Sequence, residues 1–136
     1  MKLNKSDLEL INLASETLVS NKNLYRDKNI LVASILKTAN GNIYKGINLK
    51  TSHSVCAEQV AIGQALVNGE REFDTIVTVK FNKDGKIRVI SPCGLCRYII
   101  DDLDLDLNVI VEDEKSGKPL KVKSSELLPY PYNRNV

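Results

Sequence analysis

All three cysteines of this 136-residue chain lie in two short stretches. The first stretch is Cys56-Ala57-Glu58, and the second is Pro92-Cys93-Gly94-Leu95-Cys96-Arg97. Each stretch is predicted to open a helix, which places its thiols at a positive helix end. Such an end favours the ionised thiolate, the form that binds metals. The two stretches therefore predict a metal site together with the two helix starts that form it.

Three thiolates can hold one zinc ion and leave its fourth tetrahedral position open for water, as catalytic zinc sites do. An odd number of cysteines, two of them separated only by Gly94 and Leu95, favours metal binding in a reducing compartment over disulfides. Glu58 follows Cys56 by two residues, close enough to carry protons for a water molecule at the metal. We therefore predict a zinc site with a proton carrier beside it.

Two other interpretations of the cysteines stay open. A Cys-x-x-Cys pair by itself is typical of structural zinc knuckles and redox pairs. His53 is the only histidine and lies three residues before Cys56, so it could be a fourth ligand in a closed Cys₃His structural site. That arrangement would leave Glu58 without a purpose. His53 could also line a pocket or be an ordinary loop residue.

Residue patterning along the chain predicts an α/β fold. A capping box from Ser6 to Glu9 starts a first helix that ends near Asn21, and two further helices are predicted over 56–68 and 93–103. Asn40-Gly41 is typical of a tight hairpin turn between two strands. The predicted strands are 29–36, 42–49, 73–81, 86–90, 107–111 and 118–122. With a last helical turn at 124–128, the order αββαββαββ predicts strands and helices that alternate around one sheet.

Composition excludes several classes of function. Hydrophobic residues at 43% and charged residues at 26% are typical of a globular protein, and the length predicts one domain over 1–136. No apolar run approaches membrane-spanning length, and the N-terminus leads into a charged amphipathic segment rather than a signal peptide. A net charge of +2 and only 5% aromatic residues do not favour a nucleic-acid partner. We expect a cytoplasmic protein without a membrane or nucleic-acid partner.

At these residues the chain resembles the free-nucleoside cytidine deaminases and their relative blasticidin S deaminase. The resemblance covers about 31–129 and rests on both cysteine stretches. It rests also on the Asn40-Gly41 hairpin that leads to Gly46-Ile47-Asn48, and on Glu126-Leu127-Leu128-Pro129. It implies a three-layer α/β sandwich around a mixed five-stranded sheet, one zinc per subunit, and a homo-tetramer, or a dimer, with active sites near subunit interfaces. The residue pattern counts one strand more, and 86–90 is the weakest of the six.

The same resemblance implies the site residues. Cys56, Cys93 and Cys96 correspond to zinc ligands, and Glu58 corresponds to the proton shuttle. Asn48 matches an asparagine that contacts the ribose in cytidine deaminases.

The chain departs from that family where the family contacts its substrate. Two residues after the asparagine those enzymes have a glutamate that holds a ribose hydroxyl; Lys50 stands there instead and cannot accept that hydrogen bond. The segment from Asn48 to Cys56 is shorter, and Gln59 replaces an arginine that offsets thiolate charge. Blasticidin S deaminase also lacks both charged residues. Candidate substrate contacts are thus Asn48, Lys50 and His53, although each could instead be a strand-end or loop residue.

The predicted function is zinc-dependent hydrolytic deamination of a cytosine-type ring, in cytidine, deoxycytidine or an analogue, to the uracil form with release of ammonia. A detoxification enzyme like blasticidin S deaminase is the alternative inside the family. Two alternatives lie outside the small-molecule deaminases. One is a non-catalytic zinc-binding interaction module. The other is a deaminase that acts on nucleic acid, which the weak net charge and the few aromatic residues do not favour. The expected partner is a small cytosine-type molecule.

Overall fold

The computed structural model describes residues 1–132, and the predicted order of elements is confirmed there. The α-helices α1, α2 and α3 are Lys5–Ser20, Ala57–Val67 and Gly94–Asp102. The strands β1 to β6 are Val32–Thr38, Ile43–Ile47, Phe73–Phe81, Ile87–Ile90, Asn108–Glu112 and Pro119–Lys123. Short 3₁₀ helices are Lys28–Ile30 before β1 and Ser124–Leu127 after β6. None of the helices within 1–132 is both long and apolar enough to cross a bilayer.

The six strands form one mixed sheet. Five of them follow the order β2-β1-β3-β5-β6, and β4 pairs with β3 beside that path. β3 offers one edge to two partners, because β5 pairs in parallel with 75–77 while β4 pairs antiparallel with 78–81. The five-stranded path that the resemblance implied is therefore present, and the sixth strand counted from the residue pattern is β4. The single-domain prediction extends over 133–136, which lie outside the described residues, and stays a prediction.

Helices cover both faces of this sheet and make two separate cores. α1 packs on one face through Leu10, Ala14 and Leu18, in a core that includes Val77 and Val79 of β3. α2 and α3 pack on the other face, in a core that includes Ile76 and Val109. Strand residues alternate between the two cores because successive side chains point to opposite faces of a sheet. The three-layer α/β sandwich is confirmed.

The first helix is capped by residues other than those predicted. The Asn4 side chain accepts a hydrogen bond from the Asp7 N–H at 2.9 Å, and the Asp7 carboxylate accepts one from the Asn4 N–H at 2.9 Å. The capping box is therefore Asn4 and Asp7, and the predicted box from Ser6 to Glu9 is wrong. Asp7 is 3% exposed and also pairs with Lys121 of β6 at 2.9 Å. This tertiary contact selects between two boxes that overlap in sequence.

Gly46 on β2 allows α2 to approach the sheet closely. A Cβ atom at Gly46 would lie 2.3 Å from the carbonyl oxygen of Ala57 and 2.7 Å from the backbone nitrogen of Ala61. No side chain fits there, so the close approach requires glycine. Because Ala57 lies between Cys56 and Glu58, this contact sets the position of the first cysteine stretch against the sheet.

Candidate active site

Three thiols meet where α2 and α3 begin. Cys56 is the N-cap residue of α2, Cys93 is the N-cap residue of α3, and Cys96 lies in the first turn of α3. The Cys93 sulfur is 3.7 Å from the sulfurs of both Cys56 and Cys96, and all three lie within 4.8 Å of one another. A tetrahedral zinc ion with Zn–S bonds of about 2.3 Å holds its sulfur ligands about 3.8 Å apart. The spacing of these thiols fits a zinc ion.

Among residues 1–132, no histidine or carboxylate joins this cluster as a fourth candidate ligand. His53 lies in an exposed turn, where its backbone N–H donates to the Thr51 hydroxyl at 3.1 Å. The described residues thus do not form the closed Cys₃His cluster that the sequence left open. Three protein ligands leave a tetrahedral ion one position for water, which distinguishes catalytic from structural zinc sites.

The surroundings of the three thiols shift their pKa values in different directions. Burial raises the pKa of the Cys96 thiol, which is 1% exposed, and of the Cys56 thiol. For Cys93 burial also opposes ionisation, but hydrogen bonds from the backbone N–H groups of Cys96 and Leu95 and from the other thiols lower the pKa overall. The Gln59 side-chain amide donates to the Cys96 sulfur at 3.8 Å. Gln59 is therefore a neutral hydrogen-bond donor to this cluster.

Glu58 lies in the first turn of α2, with only 5% of its surface exposed. Burial raises the pKa of its carboxyl, and hydrogen bonds from its own backbone N–H and from the Thr78 hydroxyl offset part of that rise. A carboxyl with a raised pKa holds a proton more readily than an exposed carboxyl, which suits a group that must accept a proton and return it. The site thus places a proton carrier beside a metal-binding cluster.

Two buried hydroxyl groups behind Glu58 were missed by the sequence analysis. Thr78 and Ser34 are 3% and 0% exposed, and their hydroxyl oxygens lie 3.2 Å apart. The Ser34 hydroxyl also donates to the carbonyl oxygen of Val77 at 3.1 Å. The signal available in the sequence is a hydroxyl residue within the mostly apolar middle of each of two strands, Ser34 in β1 and Thr78 in β3. Together they connect the Glu58 carboxyl to the middle of the sheet.

A cavity of about 400 Å³ lies beside the thiols, a volume suited to a small organic ligand. Cys56, Cys93 and Glu58 all line it, so the metal-binding cluster and the proton carrier face one space. Of the predicted substrate contacts, Asn48 and Lys50 line the cavity. His53 is not part of its lining.

Asn48 and Tyr25 hold one wall of this cavity in place. The Asn48 side chain accepts a hydrogen bond from the Val32 N–H at 2.8 Å and donates one to the Ile30 carbonyl at 3.0 Å. The Tyr25 hydroxyl donates to the Asn48 carbonyl at 2.6 Å and accepts from the Lys50 N–H at 3.0 Å. An amide can make four hydrogen bonds, so Asn48 keeps one donor and one acceptor site for a ligand. No motif in the sequence marks Tyr25.

Comparison with known proteins gives the same family from three directions. Residues 5–112 match the family model described as the cytidine and deoxycytidylate deaminase zinc-binding region. The chain is 38% identical to the blasticidin-S deaminase of Bacillus cereus, over 98% of this chain and 96% of that protein. It is 36% identical to the cytidine deaminase of Shewanella sediminis over 74% of this chain, and it spans only about a third, 31%, of that longer protein.

Among solved structures, the crystal structure of cytidine deaminase from Burkholderia pseudomallei superposes with a TM-score of 0.68. The sequence identity of that pair is 26%, and the match covers 89% of this chain and 98% of the other. The arrangement of helices and strands described above is thus shared with a solved member of the family.

Proposed function

The chain belongs to the cytidine and deoxycytidylate deaminase family, and from that premise we propose that it deaminates a cytosine-type ring carried by a small molecule. Water replaces the amino group of the ring, which gives the uracil form and ammonia. The observation that carries this proposal is one cavity lined both by Cys56 and Cys93, two thiols of the cluster with zinc-like spacing, and by the buried carboxyl of Glu58.

Cys56, Cys93 and Cys96 are the residues that would hold the zinc ion. Bound there, zinc would supply a nucleophile at neutral pH, because it lowers the pKa of a water molecule that it binds to about 7. Glu58 does the proton work. It takes a proton from the attacking water, gives one to the ring nitrogen beside the amino-bearing carbon, and passes a second water proton to the amino group, which leaves as ammonia.

The burial of Glu58 supports this role. A carboxyl exposed to solvent is almost fully ionised at neutral pH and returns protons poorly, whereas burial raises the pKa of Glu58. The Thr78 hydroxyl keeps the carboxyl hydrogen-bonded inside the protein. Asn48 and Lys50 are proposed to contact the part of the substrate outside the ring. Asn48 would do so with the donor and the acceptor site that its bonds to the backbone leave free.

The replacement Glu58→Gln tests the proton carrier. We expect the variant to bind zinc normally but to lose turnover by about 100-fold to 10,000-fold, the range for acid-base catalysis. Ammonia release and the ultraviolet change are measured on zinc-loaded protein with cytidine, deoxycytidine, cytosine and blasticidin S. Glu72→Gln, an exposed position, is the matched control. Near-normal turnover of Glu58→Gln would contradict the role of Glu58, and no ammonia from any compound with the unaltered protein would favour a non-catalytic zinc module.

A blasticidin S deaminase is the second candidate function. The match to the Bacillus cereus enzyme covers 98% of this chain and 96% of that enzyme, whereas the match to the Shewanella enzyme covers 74% of this chain. Lys50 and Gln59 also depart from the nucleoside enzymes. Deamination of blasticidin S with little deamination of cytidine would select this candidate. His53 as a substrate contact stays a prediction.

We also propose a homo-tetramer, or a dimer, whose copies meet near the metal site. Leu95, between two of the cysteines, is 55% exposed, and Leu49, beside Asn48 and Lys50, is 48% exposed. A second copy over these side chains would exclude water from a site that is open in one copy. Light scattering measures the mass of the assembly. A cytoplasmic location is proposed because free thiols persist in reducing compartments.

A further inference from the structure

Two lysines line the cavity that contains the metal-binding cluster. They are Lys50 and Lys80. Residues 1–132 contain three ion pairs with a nitrogen–oxygen distance of at most 4.0 Å, and neither lysine takes part in any of them. The carboxylate that shares their cavity is Glu58, which the proposed mechanism already uses. Apart from the thiols and Glu58, the charged side chains of the cavity wall are therefore these two lysines, and neither is paired with a carboxylate of the described residues.

Lys80 is held by the sheet rather than by a loop. It follows Thr78 by two residues on β3, so the side chains of both residues leave the same face of the strand. Its partner on β1 is Val32, which also lines the cavity. Lys80 is half-buried, and the strand fixes the position of its backbone. A ligand in the cavity would therefore meet its ammonium group at a restricted set of positions.

The position of Lys80 also places two like charges together. On the other side of β3 its cross-strand partner is Arg88 of β4, and like charges directly opposite each other destabilise a sheet. Arg88 is paired with Glu112, its Nε lying 3.0 Å from the carboxylate, but Lys80 has no such partner among the described residues. Glu112 offsets the charge of Arg88, whereas Lys80 keeps a positive charge at the cavity wall without an acid beside it, so an anionic group of a ligand could neutralise it.

The cavity continues past Lys80 into a second one of about 410 Å³. The two cavities share Asn29 and Lys80, and the second is lined also by Lys83, Asp84 and Arg88. A substrate longer than a cytosine ring would extend toward this cationic region.

Lys50 is fixed at another part of the first cavity. Its backbone N–H is bound by the Tyr25 hydroxyl at 3.0 Å. The neighbouring Leu49 pairs with Val55 through two backbone hydrogen bonds of 2.9 Å, which close the short loop between them. The loop that the sequence analysis found to be short therefore presents a lysine, which can only donate hydrogen bonds.

We infer that the preferred substrate carries an anionic group, a phosphate or a carboxylate, outside its cytosine-type ring, and that Lys50 and Lys80 bind this group. The inference rests on the proposed function. Ammonium groups bind such anions as point charges through charge-assisted hydrogen bonds. With the ring beside Glu58, the anion would face the two lysines and the second cavity.

The first experiment compares kcat/KM of the zinc-loaded protein for cytidine, cytidine 5′-monophosphate and the 5′-carboxylate of cytidine. We expect one anionic compound to exceed cytidine by about 10-fold to 100-fold, the ratio that one charge-assisted hydrogen bond corresponds to. Salt should reduce this ratio, because it screens the exposed Lys50. The phosphate and carboxylate arms separate the two sources of negative charge.

The second experiment uses Lys80→Met and Lys50→Met, which remove the charge and keep most of the side-chain length. We expect kcat/KM for the anionic compound to fall by about 10-fold to 100-fold, mainly through KM, and kcat/KM for cytidine to fall by less, so that the preference for the anion is lost. Lys80→Arg should keep the preference. Lys45→Met, an exposed position on β2 outside the cavity, is the matched control. Calorimetric binding of each compound to zinc-loaded Glu58→Gln gives the same comparison without turnover.

The outcomes separate the inference from the proposed function. Preference for cytidine over both anions would overturn the inference and leave deamination intact. Equal losses on charged and neutral compounds in Lys80→Met would also overturn it, because Lys80 would then offset the charge of the thiolate cluster. No deamination of any cytosine compound, and no binding to Glu58→Gln, would overturn the proposed function and the inference together.

Discussion

The carboxyl of Glu58 is hydrogen-bonded to the Thr78 hydroxyl, and this contact joins α2 to β3. Thr78 is itself in contact with the buried hydroxyl of Ser34. A buried polar group that loses its partner carries the full cost of its desolvation. At the scale of single residues, the orientation of the Glu58 carboxyl therefore depends on Thr78. Within residues 1–132, Thr78 makes no hydrogen bond to any of the three thiols.

Replacing Thr78 by valine tests this dependence, because the two side chains have nearly the same shape. We expect kcat to fall by about 10-fold with little change in KM, since one hydrogen bond to the carboxylate, worth about 1.5 kcal/mol, is lost. Thr78→Ser should restore most of the rate. Steady-state kinetics on zinc-loaded protein measure both parameters.

Thr75→Val is the control for that experiment. Thr75 is equally buried on β3, but its side chain leaves the face toward α1, as Val77 does. Its replacement should alter stability and leave kcat close to normal. A Thr78→Val enzyme with normal kcat, or a Thr78→Ser enzyme no better than the valine variant, would show that Thr78 does not position Glu58.

At the scale of elements, the packing of α2 against β2 places the first cysteine stretch. The contact is possible because Gly46 has no side chain where the Ala57 carbonyl approaches. Gly63 provides a contrast within α2, since a Cβ atom there would meet nothing within 4 Å. The two glycines thus separate a packing requirement from the ordinary cost of glycine in a helix.

We expect Gly46→Ala to lower the free energy of unfolding by about 1–3 kcal/mol, as overpacking does, and to reduce zinc affinity because α2 must shift. Gly63→Ala should instead raise the free energy of unfolding by up to about 1 kcal/mol and leave zinc binding unchanged. Urea titration and a competitive zinc chelator measure the two quantities. A Gly46→Ala protein as stable as the original would contradict the close approach of α2.

At the scale of the whole molecule, the topology of the sheet brings the two cysteine stretches together. α2 follows β2 and α3 follows β4, and both helices lie on the same face of the sheet. Their N-termini meet at one end of that face, so the thiols become neighbours although 37 residues separate Cys56 from Cys93. An ion held by both stretches therefore connects the two helices as well as supplying chemistry.

Removal of zinc should abolish deamination and lower the melting temperature. At free zinc of 1,000 times its dissociation constant, binding adds about 4.1 kcal/mol to stability, which corresponds to roughly 15 °C for a domain of this size. Activity and thermal unfolding are followed before and after chelation. Zinc should restore both and magnesium neither, because thiolates select softer ions than magnesium. Full activity after complete chelation would exclude a catalytic role for the metal.

Local features of the fold were predictable because consecutive residues encode them. Asn40-Gly41 forms the predicted turn, with Gly41 at a φ of +90°, and the strand predicted over 73–81 is β3 to the residue. Both cysteine stretches open helices at the predicted positions. Hydrophobic periodicity and turn chemistry act over a few residues, so a single sequence carries them.

By itself, the sequence determined the order of helices and strands, the three thiols and the carboxyl two residues beyond the first of them. Only the tertiary structure decided what surrounds that carboxyl and the cavity. Thr78, Ser34, Tyr25 and Lys80 enter the site through strand register and through hydrogen bonds between residues distant in sequence. The choice of Asn4 rather than Ser6 as the helix cap likewise follows from the ion pair between Asp7 and Lys121. The physical reason is the same in each case, since such partners are set by how the elements pack and not by the residues beside them in the chain.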